Sequence, residues 1–390
     1  PYGIATRSGY TTYFRNTLEG TFGTKWDLSD LVTPGLSVGG RFAYDYYSFN
    51  QATRQKLFQV KRYQGIDDVT GMEKYQLLRE EQPMGYIPSN VANRAIYTEA
   101  SINYNRSFND HHLSGLILYN RRDYVNLMAG TSIANLPARR MGVAGRLNYS
   151  YKNKYLFETN IGYNGSENFP KGRRFGFFPS VSAGWLVSNE KFWGDWFINR
   201  LKIRGSFGQV GNDQIGGERF LFLTTINRLG QSYYFGDNQQ RFQGFDESKI
   251  GNPDVTWEVS TKANLGLDIE LLAGKLTLQV DAFTEQRKGI LMQRKTIPLI
   301  SGIYPWTIPY ANLGKVHNKG LDALVEFKNT SSSGWYYSFR GNFTFARNKI
   351  IENDEPLSLY PYQDARGQSI PIDQPGGLEA IGFFKDQKEN

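Results

Sequence analysis

The chain has 390 residues and no Cys, and its 45 Lys+Arg against 37 Asp+Glu give a formal net charge of +8. At 39% hydrophobic and 15% aromatic it carries too much material to bury for an intrinsically disordered chain. Without Cys there is no disulfide framework, thiol catalysis or Cys-based zinc site, and only His111, His112 and His317 remain as imidazole ligands. No stretch approaches the roughly 18 consecutive apolar residues of a membrane-spanning helix.

From the N-terminus onward, PYGIATRSGYTTYF lacks the basic, apolar, small-residue order of a signal peptide, and the chain stops in the polar sequence IGFFKDQKEN. Both ends are those expected of an interior piece of a longer protein. Between them the dominant signal is period two, which sets alternate side chains on opposite faces of a strand. It predicts about twelve strands, at 14–27, 35–48, 95–107, 112–125, 140–151, 155–166, 176–188, 200–210, 257–271, 275–288, 312–330 and 334–349. The clearest pair is Ala263 to Leu271, where Ala263, Leu265, Leu267, Ile269 and Leu271 alternate with Asn264, Gly266, Asp268 and Glu270. A tight turn at Ala273-Gly274 then reverses parity into Leu276, Leu278, Val280 and Ala282, an antiparallel hairpin.

The links between these strands sort by length. Short ones fall at Asp30–Pro34, Phe108–His111, Lys152–Lys154, Leu272–Gly274 and Ser331–Ser333, with a moderate one at Asn189–Asn199. Long ones fall at 49–94, 126–139, 167–175, 211–256, 289–311 and beyond 350. Strands of about ten residues or more, short turns on one side, long loops on the other and aromatics near strand ends mark an outer-membrane barrel. Lipid offers the backbone no partners, so such a sheet must close, and twelve strands leave closure to chain outside this sequence. Trp26, Tyr151, Tyr155 and Trp335 flank the short turns and Tyr44, Tyr46, Tyr119 and Tyr163 approach the long-loop ends, as an interfacial girdle would. The competing architecture is a soluble or surface-attached β-sandwich that binds glycans.

Chemistry-bearing patterns are few. The sequence has no phosphate loop, zinc-helix pair, nucleophile elbow or dinucleotide turn. No catalytic, metal or cofactor residue is assigned, and the expected action is ligand capture and passage rather than bond chemistry. His111-His112 reads as a solvated turn, and Asp67-Asp68 and Glu352-Asn353-Asp354-Glu355 as solvated acidic loops rather than calcium sites. The polar strand face carries Asp45, Glu158, Asp268, Glu270, Asp281 and Glu326 among Arg41, Arg146, Lys262, Lys275 and Arg340, an arrangement suited to cross-strand pairing in a lumen. Three doubled arginines end successive strands, and parity sets Arg121, Arg139 and Arg173 on the lipid side as candidate contacts for lipopolysaccharide phosphates. In the loops, Tyr233, Tyr234 and Phe235, with Tyr304, Trp306 and Tyr310, offer flat faces for a ligand. Lys and Arg are spread over strands and loops rather than clustered, so nucleic acid is not an expected partner.

The segments RFGFFPSVSAGWLVSNEKFW (Arg174 to Trp193) and LKIRGSFGQVGND (Leu201 to Asp213) resemble a signature of SusC-like (SusC/RagA type) TonB-dependent transporters. NPDVTWE from Asn252, NLGLDIELLAGKLTLQVDAF from Asn264, NLGKVHNKGLDALVEF from Asn312 and IGFFKDQKEN from Ile381 continue the likeness in order. The resemblance implies that residues 1–390 are a partial transmembrane antiparallel β-barrel, about 12 strands of a barrel of about 22, with the plug domain and final strands absent. It further implies residence in the bacterial outer membrane and import of an oligosaccharide or peptide. The implied partners are a SusD-like lipoprotein and TonB-ExbB-ExbD, the latter through the missing N-terminal part.

Overall fold

The structure, a computed structural model, describes residues 8–194, 197–214, 219–227 and 232–370; Ile381 to Asn390 lies outside them. The chain divides into two compact units, residues 1–183 with 213–220, and residues 184–212 with 221–390.

In the first unit the strands β1 (Gly9–Asp27), β2 (Leu36–Leu57), β3 (Gln82–Phe108), β4 (His111–Asn126), β5 (Ala138–Tyr151), β6 (Tyr155–Ser166) and β7 (Phe175–Leu186, in this unit as far as Ala183) neighbour one another in chain order. The second unit repeats the scheme with β8 (Ile198–Asn212), β9 (Glu258–Leu271), β10 (Leu276–Gln293), β11 (Tyr310–Thr330) and β12 (Tyr336–Glu352), each pair antiparallel. All twelve long strands expected from period two are thus present, and no described helix is long and apolar enough to cross a membrane.

Register shows why the alternation exists. Across the second unit, Ile203, Leu267, Val280, Ala323 and Phe343 lie opposite one another in a single row, and one residue along lies Arg204, Gly266, Asp281, Asp322 and Thr344. Across the first unit the row Trp26, Val38, Ile102, Ile117, Gly145 and Ile161 is likewise backed by Arg41, Glu99, Asn120, Gly142 and Asn164. Each unit is therefore a single-layer wall with one apolar and one polar face. The apolar face is uncovered, with Leu265, Phe339, Phe343 and Phe345 exposed. A sandwich would bury that face under a second sheet. The most deeply buried large side chains, Phe169, Leu221 and Val255, instead sit in the long links between strands.

Short turns require particular backbone. Gly35 has φ +86, and a Cβ there would lie 2.0 Å from the carbonyl oxygen of Asn105, whose amide in turn donates to Gly35 O at 2.9 Å. Only glycine fits that approach. Leu272 and Ala273 both hold left-handed φ values, 53° and 54°, at the turn between β9 and β10.

Two long links differ from expectation. Residues 49–94 do not form a loop: β2 runs on to Leu57, β3 starts at Gln82, and a hairpin of Val60–Ile66 with Glu73–Arg79 joins them. At 22 and 27 residues these strands reach about 75 and 90 Å, beyond a hydrocarbon core of about 30 Å. Where both faces meet water, side chains need not alternate, so QATRQKL and QPMGYIPSN carry no period to read. The 211–256 link likewise holds a small hairpin, Ser232–Phe235 with Gln240–Gln243, between two further short strands, Thr225–Asn227 and Asp246–Lys249, that pair antiparallel.

Candidate functional site

At the long-loop end of the second unit, the Ser232–Phe235 strand pairs Tyr233 with Phe242, Tyr234 with Arg241 and Phe235 with Gln240. Alternation then puts Tyr233, Phe235 and Phe242 on one side, with ring centroids 5.1 Å apart for Tyr233–Phe235 and 5.5 Å for Phe235–Phe242, while Tyr234 lies on the other. Phe242 has no sequence signal except the Gly236 turn preceding it, and pattern reading missed it. Tyr304 and Trp306 stack at 4.8 Å with planes 11° apart, leaving Trp306 69% exposed. Tyr310 is separate: it is the first residue of β11, half-buried, and its carbonyl accepts from Asn252 Nδ2 at 2.8 Å.

The loop carrying the stacked pair is tied down from several sides. Gln293 Nε2 donates to the carbonyls of Pro305 (2.8 Å) and Ile308 (3.3 Å), and the Ile250 amide donates to Thr307 O at 3.4 Å. Asp354 accepts from the Lys295 amide at 3.0 Å, the Thr296 hydroxyl at 3.1 Å and Arg294 Nε at 3.1 Å. Burial of Asp354 favours its neutral form, but the Lys295 amide, the Thr296 hydroxyl and Arg294 together hold the carboxyl below its ordinary value. Glu355 accepts from the amides of Arg366 (2.8 Å) and Ala365 (3.1 Å), and Asp67 from those of Thr70 (2.9 Å) and Val69 (3.0 Å). The Thr70 amide, then that of Val69, lowers the Asp67 carboxyl. These acids cap turns, and among the described residues no three acids or histidines gather as a metal site.

The polar strand face holds charge in matched sets. Arg204 forks both oxygens of Asp281 at 2.6 Å and reaches Asp268 at 3.1 Å. It can do so because Gly266 stands between: a Cβ there would lie 2.6 Å from the guanidinium carbon and 2.7 Å from an Asp281 oxygen. Arg200 pairs with Glu270 at 3.0 Å, Lys262 with Glu285 at 3.9 Å, Arg287 with Glu258 at 3.3 Å and, in the first unit, Arg146 with Glu158 at 2.8 Å. Pattern reading placed Gly266 and several of these acids on the polar face but did not name Arg200 or Arg204, because only register shows which residues face each other.

At the outer end of the first unit Arg121 lies opposite Thr98 and Met141, on the face of Tyr119 and Val143. Asp123 holds Arg121 at 2.9 Å and Arg139 at 3.6 Å, and Glu167 holds Arg139 at 3.4 Å. Arg121, Arg139 and Glu167, with Arg140, Arg174 and Phe175, line a cavity of about 270 Å³. Arg173 lies in the turn before β7, its amide donating to Pro170 O at 3.0 Å. Of the histidines, His111 Nδ1 bonds Tyr149 Oη and His112 Nδ1 bonds Ser107 Oγ, both at 2.8 Å, while His317 Nε2 bonds Thr284 Oγ1 at 2.8 Å.

Single-layer walls with one apolar face, one charge-paired face and long loops at one end define the wall of a transmembrane β-barrel. Residues 1–375 match the family described as TonB dependent receptor-like, beta-barrel, and the chain belongs to that family. It is similar to TonB-dependent receptor P39 of Formosa agariphila, 26% identical over 93% of this chain and 35% of that protein. It is also similar to TonB-dependent receptor SusC of Bacteroides thetaiotaomicron, 31% identical over 53% of this chain and 20% of that protein. The chain thus spans about a third or less of these relatives. Among solved structures, the RagAB peptide importer in its open-open state shares the fold, with a TM-score of 0.67 at 18% identity over 90% of this chain and 38% of that one.

Proposed function

We propose that this chain forms part of the barrel wall of a SusC-like importer that carries a nutrient, an oligosaccharide or peptide, across the bacterial outer membrane. The observation that carries the reading is the pair of faces. In water an uncovered row such as Leu265, Phe339, Phe343 and Phe345 would forgo about 1.5–3 kcal/mol for each side chain left unburied, whereas lipid satisfies it. The polar face, with its Arg204–Asp268–Asp281 set, then borders the lumen. Passage is energised by TonB-ExbB-ExbD through sequence outside this chain, and a SusD-like lipoprotein meets the long loops.

In the same reading Tyr233, Tyr234, Phe235, Tyr304, Trp306 and Tyr310 contact the ligand, Tyr233 and Trp306 being the most exposed. Arg121, Arg139 and Arg173 meet lipopolysaccharide at the rim. The test is fractionation of the full-length parent. Residence in the outer membrane, with a band whose mobility in detergent gels depends on heating, is expected; a freely soluble, monodisperse parent would overturn the reading.

A further inference from the structure

The outer end of the second unit carries a charge arrangement that the import reading leaves unexplained. Moving outward along the apolar face, β11 and β12 pair Ala323 with Phe343 and Leu321 with Phe345, and then pair Lys319 with Arg347 and His317 with Lys349. On the next strand pair the same face sets Lys315 opposite Lys288. Register therefore collects Lys288, Lys315, Lys319, Arg347 and Lys349 on one side of the wall. All five are exposed; Lys315 also lies opposite Glu352 on β12, but none of the five forms an ion pair within 4.0 Å among the described residues.

Like charges directly opposite each other destabilise a sheet. Where like charges meet elsewhere an opposite charge is at hand: Asp281 faces Asp322 but is held by Arg204, and Arg140 faces Arg122 but is held by Asp213, while Arg200, Arg146 and Arg287 have acid partners and Arg121 and Arg139 share Asp123 and Glu167. Directly beneath the unmatched cations, Ala263, Leu265, Ala282, Leu321 and Phe345 help to line a hollow of about 670 Å³, with Lys319 and Arg347 at its edge. Small residues at 263 and 282 make the depression, so an apolar trough ends at a cluster of cations. A ligand matching both has hydrocarbon chains and a phosphorylated head.

We propose that this surface binds a phosphorylated glycolipid of the outer leaflet, acyl chains along the trough and phosphates on Lys319, Arg347 and Lys349. The assignment rests on the reading that this face meets lipid. It differs from the first unit's Arg121 and Arg139, which Asp123 and Glu167 match internally. A soluble phosphate would need the cations but not the trough, and a protein partner would need neither in this order.

The test uses the full-length parent, purified in detergent, with lipid A bearing both phosphates as probe and its dephosphorylated form as comparison. Each cation near a charged membrane surface contributes about fivefold to attraction, so K319Q/R347Q/K349Q is expected to weaken binding of the phosphorylated probe about a hundredfold. The luminal control K262Q and the charge-preserving K319R/R347K/K349R are expected to bind as the parent does, and heat-dependent mobility verifies that each variant is folded. If the triple Gln variant is unfolded, single K319Q and R347Q variants take its place, each expected to lose about fivefold. Equal binding by folded Gln variants, or equal binding of dephosphorylated lipid by the parent, would overturn the proposal. So would full competition by inorganic phosphate alone, or variants that lose a co-purifying lipoprotein while retaining lipid. A parent absent from the outer membrane would instead overturn the import reading.

Discussion

Replacing Gly266 with alanine will weaken the wall, the reverse of what that change usually does in a strand. Alanine in place of a mid-strand glycine ordinarily stabilises by about 0.5–1 kcal/mol through the unfolded chain. Here the new Cβ would sit 2.6–2.7 Å from the Arg204 guanidinium and Asp281, closer than the 3.4 Å of ordinary contact by about 0.7 Å. The forked bonds at 2.6 Å must open by a comparable amount, which ends them as charge-assisted bonds and leaves Asp281 facing Asp322 without its cation. Each such bond contributes about 1.5–3 kcal/mol, less here because the three side chains are 20–33% exposed. After the gain from alanine is subtracted, a net loss of about 1–2 kcal/mol remains. Gly205 is the control: a Cβ there meets nothing nearer than Asn264 O at 3.8 Å, so G205A will match or exceed the parent. The assay is the heating midpoint for loss of the folded gel band of the full-length protein, for both variants and for G266A placed on R204M. If G266A behaves like G205A, or costs as much without Arg204 as with it, the slot argument is wrong.

The apolar and polar faces predict opposite tolerance of charge: A323R, mid-row on the apolar face, should cost about 2–4 kcal/mol in bilayers, and T344R on the polar face much less, compared by folding midpoints in liposomes. W306A should weaken capture of the cognate ligand about threefold to tenfold in calorimetry without shifting the heating midpoint; unchanged affinity would remove Trp306 from the site. Asp354 has its folded value depressed below the ordinary 3.8, so the stability it lends the 294–309 loop is complete above that value and is lost as pH falls through the lower folded value. Hydrogen exchange of Lys295 should therefore stay slow from neutrality down to mild acid and quicken only below 3.8, and D354A should abolish that step. Because the chain has no Cys, single cysteines from Val38 to Leu57 can map β2: labelling should alternate between lipid and water near Val38 and become uniformly aqueous above Ser48.

What the sequence could reveal depended on where one face met an apolar medium. Ala263 to Leu271 alternates because Leu265 and Leu267 face away from Gly266 and Asp268, and the strand is legible from that alone. Beyond Ser48 on β2 and before Asn93 on β3 the alternation disappears, and the strands were read as loop. The aromatic loop residues were visible as composition, but that Phe242 joins Tyr233 and Phe235 required the pairing of two short strands. The luminal acids were visible as a class, while the partner of Asp281 was not. Arg204 lies 77 positions away and reaches it only across a glycine on the strand between. Similarly, nothing in KVHNKG or FARNK shows that Lys319 stands opposite Arg347.

The two faces solve the same electrostatic problem in different ways, and the difference locates function along the wall. On the polar face, cations such as Arg204, Arg200 and Arg287 are matched to acids within the sheet, so the face proposed to line the lumen presents these charges already satisfied. On the apolar face charge is absent from the rows of Ala323 and Leu321 and appears abruptly at Lys319, one side-chain step outward. In the first unit the same step falls between Tyr119 and Arg121. Each unit's apolar band ends in cations, but Arg121 and Arg139 of the first are held by Asp123 and Glu167, whereas Lys319, Arg347 and Lys349 of the second have no acid partner among the described residues, and the proposed phosphate contact falls there. Within the first unit β2 and β3 run on past the end of the apolar band, and at 22 and 27 residues they are longer than a hydrocarbon core of about 30 Å requires.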